Sequence, residues 1–235
     1  MTATVDITHA HAGDHPHGHH AQHAPGDPLT LSARLREGTR EVHSKAESTS
    51  FVSRLMAGEL DRAAYADFAA QHYPIYLALE AASAAQRDDE RGTTLVFDEL
   101  TRTPSLEADL EFLFGADWRT QIDILPETEA YAAHVREVGS DLGAYAAHAY
   151  TRYLGDLSGG QIIKRMIQRH YGFGEEGVAF YTFQEIPKAK PFKDVYRERL
   201  DGLALDEAEL EAAVAEAVVA FEHNTAVFQA LAARH

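Results

Sequence analysis

The chain has 235 residues, a formal charge of −16, 45% hydrophobic residues and no cysteine. The missing cysteine excludes disulfides, zinc–thiolate sites, iron–sulfur clusters and thiolate catalysis, and the acidic balance argues against binding nucleic acid or an anionic membrane, which needs positive surface. No stretch approaches twenty apolar residues and the N-terminus lacks the basic-then-apolar layout of a secretory signal, so the sequence reads as a cytoplasmic protein with no membrane anchor.

Residues 1–27 are rich in Gly, Pro and His, with seven of the fourteen histidines between His9 and His23 and almost no large apolar side chains. Such a segment buries too little to offset chain entropy and reads as a disordered tail with loose affinity for transition metals. From residue 28 to 235 the pattern is that of one all-α domain. Thr30 or Ser32 can cap a first helix whose apolar side carries Leu31, Leu35, Val42 and Ala46. A long helix is expected from Asp61 to Arg87, with Pro74 kinking it. Shorter helices fit Ser105 to Phe114 and Pro126 to Val138. Gly172 to Gly177 reads as a loop, and Phe180 to Pro191 could hold a short extended piece. Helical spacing resumes in Phe192 to Leu203 and Asp206 to Ala233.

The stretch Ala147 to Tyr171 is the anomaly. Apolar residues at helical spacing flank Gly155-Asp156-Leu157-Ser158-Gly159-Gly160, and each glycine costs a helix about 1 kcal/mol relative to alanine. A continuous but bent helix would place Gly155 and Gly159 on one face as a bare strip of backbone. A loop between two helices is the alternative.

Three sets of residues could carry chemistry. His43 and Glu47, four apart on the first helix, are spaced so that the carboxylate reaches one imidazole nitrogen and leaves the other for a metal, although such a pair is also an ordinary surface contact. Arg36 lies seven residues earlier on the same stripe. Lys188, Lys190, Lys193, Arg197 and Arg199 gather positive charge in an acidic chain; Lys193 and Arg197 can hold an anion, or Asp194 and Glu198 can neutralise them. Tyr76, Tyr131, Arg152, Asp156 and Asn224 are polar residues within apolar helices and need buried partners. The letters LSGGQ also occur in ABC-type ATPases, but no phosphate-cradling GxxxxGK[ST] loop accompanies them. Paired Glu-x-x-His segments, a Gly-x-Ser-x-Gly elbow and a His-Glu-x-x-His helix are likewise missing.

Tyr150-Thr-Arg-Tyr-Leu-Gly-Asp-Leu-Ser-Gly-Gly-Gln161 resembles the distal-helix signature of the heme oxygenases, and Glu41-Val-His43-Ser-Lys-Ala-Glu47 resembles their proximal segment. The likeness extends through Phe180-Tyr-Thr-Phe183, Lys193-Asp-Val-Tyr-Arg197 and Phe221-Glu-His-Asn224, and covers residue 29 to the end. The resemblance implies a single-domain helical fold holding heme b, both cofactor and substrate, between a proximal helix and a glycine-rich kinked distal helix. It implies His43 as axial iron ligand, Glu47 orienting it, and Phe221 and Ser158 among the heme contacts. Gly155 and Gly159 would let the distal backbone press close to the reacting oxygen. Asp156 would anchor ordered water for proton delivery, supported by Tyr76, Tyr131, Arg152 and Asn224. Arg36, Tyr150, Lys193 and Arg197 would hold the propionates, with Arg36 standing where family members often carry lysine. The implied reaction consumes O2 and releases biliverdin, carbon monoxide and ferrous iron. Its electrons would come from an external electron donor such as a ferredoxin or flavin reductase, since the chain has no flavin or nicotinamide fingerprint. A heme carrier or sensor that binds without degrading is the competing expectation.

Overall fold

The computed structural model describes residues 30–235, so the expected His-rich tail and its boundary at residue 28 lie outside the described residues. Among those residues there is no β-strand. The expected first helix is two: α1 (Leu31–Gly38) and α2 (Arg40–Glu47). The break falls at Thr39, whose buried hydroxyl donates back to the Leu35 carbonyl at 2.7 Å, a bond that competes with helix continuation. Thr30 occupies the cap position without a side-chain cap bond, and Ser32 instead binds Asp201 through its backbone N–H and hydroxyl.

A helix not singled out by the sequence pattern, α3 (Ser50–Ala57), buries Phe51, Val52, Leu55 and Met56. Next comes α4 (Arg62–Gln86), whose Asp61 caps it by accepting from Ala64 N–H; it continues through Pro74. Two helices follow with proline in the first turn, α5 (Thr103–Phe114) and α7 (Pro126–Val138), separated by the single turn α6 (Trp118–Gln121). The glycine-rich stretch is one helix: α8 (Leu142–Gly155) passes through a π turn, Asp156–Gly160, directly into α9 (Gln161–Tyr171). The loop alternative therefore fails, and the bend is a wide i→i+5 turn, a device frequent at functional sites. Phe180 to Pro191 contains no extended strand; it holds a short 3₁₀ turn, Ala179–Tyr181, and the start of α10 (Ala189–Asp201). The last helix, α11 (Glu207–Arg234), opens with a reciprocal capping box between Asp206 and Glu209.

Nearly every residue of α8 is buried, which makes it the central rod of the domain. It packs chiefly along α11, while α4 packs along α7 and α5. Tyr65, Tyr76, Tyr131, Tyr145 and Tyr196 are among the largest fully enclosed side chains. Helix α2 leans on α11, so α11 stands behind both the His43 segment and α8.

Candidate active site

The π turn presents two different surfaces. A Cβ placed on Gly155 or on Gly159 would meet nothing within 4 Å, so both glycines border open space. At Gly160 the same atom would press on the Tyr181 ring at 3.1 Å, so that glycine serves packing. The turn is pinned from behind by Gln161, whose side-chain amide donates to the Tyr181 carbonyl at 2.8 Å and to the Asp156 carbonyl at 3.3 Å.

Asp156 is buried. Its Oδ2 accepts a short hydrogen bond from the Tyr76 hydroxyl. That hydroxyl in turn accepts from Arg152 Nε at 3.3 Å, and Arg152 Nη1 donates to Asn224 Oδ1 at 2.8 Å. Four of the five polar residues expected to form a network are thereby joined across α4, α8, the π turn and α11. Burial pushes the Asp156 carboxyl above its usual value, opposed by the Arg152 charge and the Tyr76 hydrogen bond. For Arg152, burial is outweighed by Tyr76, Asp156 and Tyr131, which together keep the guanidinium firmly protonated. Tyr131 does not join through a direct bond. Its hydroxyl is fully buried with no hydrogen-bond partner, and burial with the nearby Glu216 and Asp156 charges pushes it up to about 12.

His43 is half-exposed on α2, its Nε2 3.5 Å from Glu47 Oε1, and its ring meets the edge of Phe221 on α11 at 5.4 Å between centroids. The exposed imidazole is thus braced by one carboxylate and one aromatic ring. At the rim, Lys193 Nζ donates to Ser158 Oγ at 2.8 Å, which ties α10 to the π turn. Arg197 bonds Asp194 at 3.2 Å, as ordinary surface pairing predicts. The half-buried Tyr150 phenol is raised by desolvation while the charges of Arg197 and Arg36 pull it down, which puts Arg36, Tyr150 and Arg197 in one electrostatic neighbourhood. Arg199 leaves this group: its guanidinium lies 4.4 Å over the Phe97 ring.

Sequence reasoning missed two supports of the site. Arg102, buried, donates to the Phe180 and Thr182 carbonyls and adds positive charge toward Asp156. His72 is buried one turn before Tyr76, its Nδ1 2.8 Å from the Phe68 carbonyl, and burial with the Arg152 charge lowers it to about 3. A histidine one helical turn from Tyr76 was the only signal for the latter.

Comparison with known proteins gives the family. The heme oxygenase family profile matches residues 29–230. The chain belongs to the heme oxygenase family. It is 39% identical to a heme oxygenase of Rhodella violacea over 86% of each chain, and 39% identical to heme oxygenase 1 of Synechocystis sp. over 86% of this chain and 85% of that one. The crystal structure of the cyanobacterial heme oxygenase-1 in complex with heme superimposes with a TM-score of 0.82, covering 86% of this chain and 92% of that chain. The Leptospira interrogans heme oxygenase, 34% identical, gives 0.81 over 85% and 98%. No helix among the described residues is long and apolar enough to cross a membrane.

Proposed function

We propose that this chain is a heme oxygenase that holds heme between His43 on α2 and the Gly155–Gly159 face, and opens the porphyrin to biliverdin, carbon monoxide and ferrous iron. The observation that carries the placement is the glycine face itself: two helical residues whose missing side chains open onto space rather than onto protein, with a buried acid behind them. A flat macrocycle fits such a wall, and the orphaned Tyr131 hydroxyl fits an ordered water beside the acid.

When bound, heme supplies the iron that activates O2 and is itself the substrate. His43 presents an imidazole nitrogen, and Glu47 and Phe221 set its orientation. Lys193, Arg197, Arg36 and Tyr150 would hold the propionates, with Ser158 positioning the lysine, and so would orient the macrocycle. Asp156 gives one carboxylate oxygen to Tyr76 and keeps the other for water, so it directs a proton donor into the distal space. Arg152 holds Tyr76 and Asn224 in place and stabilises the ionised carboxylate. Electrons come from an external donor of the ferredoxin or flavin-reductase type.

Aerobic turnover of the heme-loaded chain with ascorbate or a reductase tests this reading. The Soret band is expected to give way to a bile-pigment spectrum, and Asp156→Ala is expected to retain heme while slowing ring opening about 100-fold. An unchanged Soret band in the wild-type chain would mean that it carries heme without degrading it.

A further inference from the structure

Apart from the residues proposed to hold heme, a second group of ligating side chains lies beside Tyr131. Glu216 on α11 places a single oxygen, Oε1, 2.6 Å from His134 Nε2 on α7 and 2.8 Å from His148 Nε2 on α8. One ligand atom from each of the three residues lies within 4.8 Å of the other two. His223 on α11 borders the group, its ring stacked on Tyr131 at 5.1 Å and 5.0 Å from the ring of His134.

We propose that His134, His148 and Glu216 form a binding site for a divalent transition-metal ion of the zinc class, separate from the heme iron. Two imidazoles and a carboxylate with a fourth position left for water are a recurrent zinc ligand set. A tetrahedral zinc shell needs ligand atoms about 3.3 Å apart, so small side-chain rotations from the present hydrogen-bonded arrangement suffice. The donors stand on three helices that pack against one another in the core, which limits the entropy lost on binding.

The chemistry of the group suits a cation. Both imidazoles already turn Nε2 toward one oxygen of the Glu216 carboxylate, so the three donor groups converge on one point. His148 is 1% exposed, and its Nδ1 is buried with no hydrogen-bond partner. In the metal-free chain the Glu216 carboxylate, which only accepts, keeps the ring proton on Nε2; a metal bound there would take that proton's place, the neutral ring then carrying its proton on Nδ1. A purely structural triad would engage the same three groups in hydrogen bonds but would have no affinity for a free ion.

The test uses the full-length, heme-free chain in which the seven histidines between His9 and His23 are replaced by alanine, so that the tail contributes no imidazole. Titration with Co2+ is expected to give one equivalent with visible d–d absorption, displaced by Zn2+. Glu216→Gln and His134→Ala should each weaken binding about 10-fold or more, with circular dichroism confirming that both remain folded. Glu216→Asp, which keeps the charge, should retain most of the affinity if either of those variants unfolds. Failure of the parent to take up a saturable equivalent, or uptake that none of these substitutions changes, would overturn the site. Neither outcome bears on heme turnover, which is read separately.

Discussion

Tyr76 and Arg152 hold the Asp156 carboxyl in a fixed orientation beside two glycines whose missing side chains leave the distal space open. Because a Cβ at Gly159 meets no protein atom, Gly159→Ala is expected to stabilise the heme-free chain by up to about 1 kcal/mol through helix propensity. The same methyl occupies space proposed for heme, so heme affinity should fall; thermal melting and heme titration of one variant read both effects. His43 is braced from two sides yet half-exposed. His43→Ala is expected to lose the strong axial nitrogen ligand, read as a changed ferrous–CO spectrum, with little loss of fold because few protein contacts depend on the ring.

At the scale of elements, the α8–π–α9 rod converts a local weakness into a site. Three glycines lower helix propensity, and the π turn absorbs an extra residue without ending the helix. Gln161 closes the back of that turn against Tyr181, so Gln161→Ala should cost about 1 kcal/mol in stability and loosen the product-isomer ratio. Denaturant midpoints and chromatography of the biliverdin isomers measure the two consequences, and a change in stability alone would reduce Gln161 to a packing role. The split between α1 and α2 matters here as well: a back-bonded Thr39 interrupts the stripe on which Arg36 and His43 were aligned, yet both still approach the site because α1 contacts α10 and α2 lies on α11.

For the molecule as a whole, two buried titratable groups set opposing pH dependences. Asp109, raised to about 6 mainly by burial, binds a proton more readily folded than unfolded, so its contribution favours the fold as pH falls from 6 toward 4. His72, lowered to about 3, binds a proton less readily folded than unfolded; its contribution is present above pH 6.5 and is lost as pH falls toward 3. The larger shift belongs to His72, on the order of 3 kcal/mol at pH 4. The stability of His72→Gln should therefore fall less than that of the wild type between pH 6.5 and 4, measured as the difference in denaturant midpoints; parallel pH profiles would remove His72 from the acid response.

Much of this organisation is legible in the chain itself. Helical periodicity and Pro126 at a first turn mark most of the helices, because these are local effects of spacing and backbone chemistry. The glycine run flagged the bend, and the polar residues within apolar helices flagged a network. Ser50–Ala57 is passed over although Phe51, Val52, Leu55 and Met56 recur at helical spacing, since eight residues carry only two turns of that pattern. Distance along the chain hid Arg102 and the His134–His148–Glu216 group, whose members are separated by 14 and 68 positions and meet only when α7, α8 and α11 pack.

The sequence alone determined that the chain is all-α, which stretch had to bend, and which imidazole and which acid stood in family-like segments, because those properties depend on residues within a few turns of one another. Only the tertiary structure decided that the bend is a π turn, that Gly155 and Gly159 face open space while Gly160 faces Tyr181, that Tyr131 ends without a partner, and that three helices bring two histidines onto one carboxylate oxygen. These are long-range contacts, and the chain's local preferences carry no information about them until the helices pack.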